Sequence, residues 1–205
     1  MRFFTPGLVL AGLALATPVF AQQELAFTVG GLHGPDRTTR TTNQNIAFST
    51  GTALQGNYSR YIKSYKIADL YGEVHVLFSP RQEVTSAYTA ATASFTTLYV
   101  TPGVRLKFYP KKNLSPYVLG GGGYALYRQS DKTVAGLPNP APRTVNSPAG
   151  EFGGGLDFQY SPRIAFRLEA REFFTSSVKY NVPIYGRGQY NFVVGGGVVF
   201  HLGAK

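Results

Sequence analysis

The chain has 205 residues, the size of one ordinary domain, and no cysteine, so it has neither a disulfide framework nor a thiolate metal site. Charged residues make up only 15%, low for a soluble domain, while the mean hydropathy of −0.08 excludes a helical membrane protein. The formal net charge is +10, but the longest basic run is Lys111-Lys112, so nucleic acid is not an expected partner. Cations spread in this way suit a surface that faces anionic lipid headgroups.

The N-terminus has the three parts of a secretory signal peptide. Arg2 is the positive region, Leu8 to Ala16 is the apolar core, and Val19-Phe20-Ala21 offers compact residues for cleavage. The apolar run is too short to span a bilayer as a helix. Residues 1–21 are therefore expected to be a signal peptide and residues 22–205 a single domain.

From Glu24 onward the dominant period is two, as in strands with two different faces. In the first strand Leu25, Phe27 and Val29 alternate with Glu24, Ala26, Thr28 and Gly30. The second is weaker, with Leu54 and Tyr58 against Gln55, Asn57 and Ser59. The third sets Leu70, Val74, Val76 and Phe78 against Asp69, Tyr71, Glu73 and His75. The fourth sets Leu98, Val100, Val104, Leu106 and Phe108 against Thr101, Gly103, Arg105 and Lys107. The fifth runs from about Pro116 to Arg128, and Gly120 to Gly123 blur its faces. Tyr117, Leu119, Ala125 and Tyr127 are expected outward there, with Tyr124 and Arg128 inward. The sixth sets Phe152, Leu156, Phe158 and Tyr160 against Glu151, Asp157 and Gln159. The seventh sets Ile164, Phe166, Leu168 and Ala170 against Arg167, Glu169 and Arg171. The eighth sets Phe192, Val194, Val198, Phe200 and Leu202 against Asn191, Gly195, Gly197 and His201.

The connections alternate in length. Three are short, near 62–66, 110–115 and 161–163, and carry turn residues such as Pro110-Lys111-Lys112-Asn113. Four are long, near 34–50, 79–96, 129–148 and 175–189. Strands of this length, even in number and joined by short and long loops in turn, predict an all-β fold. That fold is an eight-stranded antiparallel up-and-down transmembrane β-barrel.

The residues from Glu24 to Leu202 resemble the outer-membrane β-barrel proteins of the OmpA/OmpX-like "porin family". The resemblance is carried by the run from Ser115 through Gly120–Gly123 to Tyr124, by Gly153-Gly154-Gly155-Leu156-Asp157-Phe158, and by the closing strand from Asn191 to Phe200. It implies a location in the cell outer membrane, contact with outer-membrane lipids and lipopolysaccharide, and insertion by a barrel-assembly machinery that reads a terminal aromatic residue. Here Phe200 and Leu202 are followed by Gly203-Ala204-Lys205.

Parity places a set of charges in the lumen: Glu73, His75, Arg105, Lys107, Arg128, Glu151, Asp157, Arg167, Glu169 and Arg171. An eight-stranded barrel is filled by its own side chains, so mixed signs are expected to form a salt-bridge plug. Three histidines in dispersed contexts, none followed by the serine of a lipid-A deacylase pair, give no catalytic, metal or cofactor site. The glycine clusters match no phosphate-binding pattern and are read as thin barrel wall. Arg37, Arg40, Lys132, Arg143, Lys179 and Arg187 fall in the long loops, where lipopolysaccharide phosphates are candidate ligands. The expected role is structural or surface-interacting, in a monomer without enzymatic activity. The alternatives are a narrow pore for water, ions or small solutes, an outer-membrane lipid-modifying enzyme, and a soluble lipocalin-type barrel, which needs its apolar face inward.

Overall fold

The computed structural model describes residues 22–40, 43–140, 142–176 and 188–202. The expected signal peptide, Lys179, Arg187 and Gly203-Ala204-Lys205 lie outside them. The described residues form ten strands: β1 (Gln23–His33), β2 (Arg37–Thr38), β3 (Asn45–Phe48), β4 (Gly51–Ser64), β5 (Ala68–Ser86), β6 (Ser94–Phe108), β7 (Leu114–Gln129), β8 (Thr144–Ser161), β9 (Ile164–Ser176) and β10 (Gly188–Leu202). All but β2 and β3 form a closed antiparallel ring in which each strand pairs with the next and β10 returns to β1. No helix occurs among the described residues.

The register fixes the shape of the ring. His33 of β1 lies opposite Phe192 of β10. The pairing continues through Glu172, Phe152, Gly120, Val104, Gly72 and Arg60 and comes back to β1 at Gln23, ten residues lower. With about 3.3 Å of rise per residue and about 4.8 Å between strands, that offset corresponds to a tilt of about 40°. Such a ring leaves an interior only wide enough for side chains.

Alternation along each strand sends apolar residues outward. Phe27, Val29, Val104, Phe158, Phe166, Leu168 and Val194 are exposed, and Val74, Val100, Leu106 and Val198 are half-buried on the same face. Exposed Tyr65, Tyr109 and Tyr160 mark the short-turn end. Toward the other end Phe152 stacks on Phe174 at 5.5 Å between centroids, and Phe174 meets Tyr190 edge to face at 5.3 Å.

The short turns shrink to 65–67, 109–113 and 162–163, while the strands climb into what the sequence assigned to long loops. β5 has 19 residues, about 50 Å along the barrel axis and twice an apolar band of about 25 Å. Ser79-Pro80-Arg81-Gln82 breaks the alternation in β5 because it is a bulge, after which pairing with β6 resumes at Gln82 and Phe95.

Strand β7 is a correction. Tyr117, Leu119, Ala125 and Tyr127 are buried in the lumen, and Tyr124 and Arg128 are exposed on the outer face, so Arg128 is not lumenal. Register explains the reversal. Directly paired residues share a face, and Tyr117 pairs with Lys107, Leu119 with Arg105. The Tyr117 ring fits inside because its other partner, Gly155, has no side chain. A Cβ at Gly155 would lie 2.6 Å from Tyr117 Cζ. The expected wall-thinning also occurs at the seam, where Gly30 pairs with Gly195 and a Cβ at Gly30 would lie 2.7 Å from Gly195 Cα.

Leu168 lies mid-strand on the outward face with 57% exposure. Replacing it with arginine should cost about 2–4 kcal/mol of unfolding free energy in lipid vesicles, measured by urea titration. An unchanged midpoint would place this face away from lipid.

Candidate functional site

The lumen has two zones. The zone nearer the short turns is charged. Glu24 enters from β1, Arg105 and Lys107 from β6, Asp157 from β8 and Arg167 from β9. Arg167 grips Asp157 with two hydrogen bonds, Nε to Oδ1 at 2.8 Å and Nη2 to Oδ2 at 2.9 Å. Lys107 Nζ stands 2.9 Å from Asp157 and 3.2 Å from Glu24. Arg105 pairs with Glu24 and, through Nε at 3.1 Å, with Glu73 of β5. The Tyr117 ring lies between two guanidinium groups, with Arg167 Cζ 4.8 Å and Arg105 Cζ 5.3 Å from its centroid.

One layer higher, Arg171 of β9 is the hub. Its Nη2 donates to Glu73 at 2.9 Å, Asn57 at 2.9 Å and Glu169 at 3.0 Å, and its Nη1 approaches Glu151 at 3.4 Å. Glu169 also accepts from Thr28 at 2.8 Å and from the Tyr117 hydroxyl at 3.1 Å. Gln55 donates to Thr28 at 2.9 Å and presents its carbonyl oxygen to His75 Nε2 at 3.2 Å. His75 Nδ1 meets Glu151 at 3.1 Å. Its carboxylate partner is thus Glu151 across the barrel, not Glu73 two residues away on its own strand.

The second zone, toward the long connections, is aromatic and apolar. His75 stacks on Phe173, which stacks on Tyr99 at 4.4 Å. The hydroxyls of Tyr99 and Tyr127 share a hydrogen bond of 2.7 Å, and Tyr127 reaches Thr175 at 3.0 Å. Asn191 donates to both tyrosines. Above them Leu32, Leu77, Val84 and Phe95 join Ile46 and Phe48, which β3 folds over the mouth. β3 is held by pairing with Val84–Ser86 and by Gln82, which donates to the carbonyls of Leu32 at 3.2 Å and Ser49 at 3.1 Å.

Of the sequence-predicted residues, Glu73, His75, Arg105, Lys107, Glu151, Asp157, Arg167, Glu169 and Arg171 come together as one network, each buried. Arg128 stays outside it. Sequence reasoning missed Glu24, although its antiphase with Leu25 places it inward, and Glu24 contacts Arg105, Lys107 and Arg167. It also missed the upper aromatic zone, because a search for inward polar residues passes over Tyr99 and Phe173. Of the loop cations, Arg37 donates to the Gly188 carbonyl at 2.5 Å and Arg143 pairs with Asp131 at 2.9 Å on the surface.

A closed eight-strand ring, apolar outside and charged inside, decides the architecture. The fold is that of the eight-stranded outer-membrane β-barrels. Neisserial surface protein A superimposes with a TM-score of 0.57 at 9% identity, covering 88% of this chain and 97% of its own. Outer membrane protein OprG from Pseudomonas aeruginosa gives 0.52 at 11% identity, covering 90% and 97%. The outer membrane protein AlkL, solved in DMPC bilayers, gives 0.50 at 13% identity, covering 99% and 97%. No protein-family model matches the sequence, and no curated protein matches it. The likeness to these outer-membrane barrels is therefore one of fold.

Glu169 accepts from Arg171, Thr28 and Tyr117 with side-chain exposure of 0%. Truncating it to alanine takes from buried Arg171 one of its three carboxylate partners and leaves the Thr28 and Tyr117 hydroxyls without their acceptor, and should cost about 3–5 kcal/mol in vesicle unfolding. A loss within experimental error would mean that water screens the pair.

Proposed function

We propose that the chain is an integral protein of the cell outer membrane, exported by its N-terminal signal, with a sealed lumen and a structural or surface-interaction role. The observation that carries this reading is the inverted distribution of polarity. Five carboxylates and four guanidinium or ammonium groups are buried inside, while leucine, valine and phenylalanine cover the exterior. A protein dissolved in water gains nothing from that arrangement, whereas one dissolved in hydrocarbon requires it. It also argues against the lipocalin type, whose apolar face turns inward.

Two features support a sealed lumen over a pore. The charged zone is cross-linked from wall to wall, and the upper zone is filled by aromatic rings and covered by Ile46 and Phe48. A surface role is supported by the order of the outer connections. Ala93 N donates to Lys132 O at 3.0 Å, Val134 N to Ala91 O at 2.8 Å and Ala135 N to Thr89 O at 3.0 Å. These bonds tie the β5–β6 and β7–β8 connections into one ledge, a pre-ordered surface on which exposed Arg128, Lys132 and Arg143 can meet lipopolysaccharide phosphates. No constellation of nucleophile and base is used in this reading, which leaves the protein without enzymatic activity.

Fractionation should find the protein in outer membranes, with heat-modifiable gel mobility. Reconstituted in planar bilayers, it should give no single-channel steps. Steady conductance would replace the sealed barrel by a narrow pore, and solubility without detergent would remove it from the membrane.

A further inference from the structure

The short-turn end of the barrel holds a cavity of about 160 Å³, room for several waters or one small oxyanion. Its polar wall includes Gln22, Lys107, Lys111, Lys112, Asn113, Gln159 and His201, and no carboxylate side chain lines it among the described residues. His201 decides its character. Its side chain is 7% exposed, and Nδ1 stands 3.5 Å from Glu24 Oε1, at the limit of a hydrogen bond. Its Nε2 is buried with no hydrogen-bond partner. Buried polar atoms are rarely left in that condition, because the lost hydration is not replaced.

The charges around the cavity favour an anion. In the layer directly above it, Arg105, Lys107 and Arg167 converge on Glu24 and Asp157, and Arg167 Nη1 also lacks a hydrogen-bond partner. Lys111 and Lys112 add two exposed cations on the turn, with Lys112 Nζ 4.9 Å from the Tyr109 ring centroid. We propose that this cavity binds a phosphate-type oxyanion, with His201 Nε2, the Asn113 and Gln22 amides and the Lys111-Lys112 ammonium groups as donors. A tetrahedral anion accepts from several directions at once, as this ring of donors requires. Its source is either a free phosphate in the solvent at this mouth or the headgroup of a neighbouring lipid.

The test uses the folded protein in phosphate-free maltoside micelles, with inorganic phosphate as probe. The signals of the His201 ring nitrogens, followed by NMR, should shift saturably with phosphate and not with chloride at equal ionic strength. Lys111→Ala with Lys112→Ala, two exposed positions that leave the barrel intact, should weaken binding about tenfold or more. His201→Gln, followed through the Asn113 amide signal, should weaken it as well. The absence of a saturable shift, an equal response to chloride, or unchanged affinity in the double variant would overturn the proposal. A second arm uses phosphate-free galactolipid vesicles doped with phosphatidic acid. If His201 is already at its bound position and added phosphate no longer moves it, the ligand is a headgroup. If phosphate still shifts it with the same affinity, the ligand is a free solute.

Discussion

A ring of eight tilted strands closes on an interior one layer of side chains deep from each wall, and nearly everything else in the molecule answers to that closure. Nothing inside can turn away to water, so each inward charge needs an opposite charge within reach, and a large ring enters only where its neighbours leave room. Arg105 and Arg171 have no exposed surface and are held by carboxylates from several strands. Tyr117 enters only because Gly155 leaves the space.

The network also works across the ring. Glu24 sits on the first strand, and its partners Arg105, Lys107 and Arg167 are on β6 and β9. Arg171 reaches from β9 to Asn57 on β4 and Glu73 on β5. These contacts join strands that share no backbone hydrogen bonds, and they span the lumen that the closed ring encloses. The charged zone therefore rewards closure itself, in addition to any single hairpin. The aromatic zone above it differs in kind. It is held by stacking and by a few hydroxyl and amide bonds among Tyr99, Tyr127, Thr175 and Asn191, and it passes into the apolar cap under β3. Water approaching from the long-loop end meets hydrocarbon and rings, whereas water from the short-turn end meets lysine, histidine and amides.

Alternation along the chain determined a good deal by itself. Side chains on a strand point to opposite faces in strict turn, so wherever polar and apolar residues contrast, the face of each follows, as it did for Arg105 and Lys107 or for Arg167, Glu169 and Arg171. The short and long connections likewise set the up-and-down order. Only the tertiary structure could decide the rest. Gly120–Gly123 carry no contrast, so the parity of β7 came from its pairing with β6, which turned Tyr117 inward and Arg128 outward. The bulge at Ser79–Gln82 breaks the period while the strand continues, so the height of the outer hairpins was hidden. The contacts across the lumen were hidden too, since partners such as Arg171 and Glu73 are 98 positions apart and are brought together only by the ten-residue stagger of the ring.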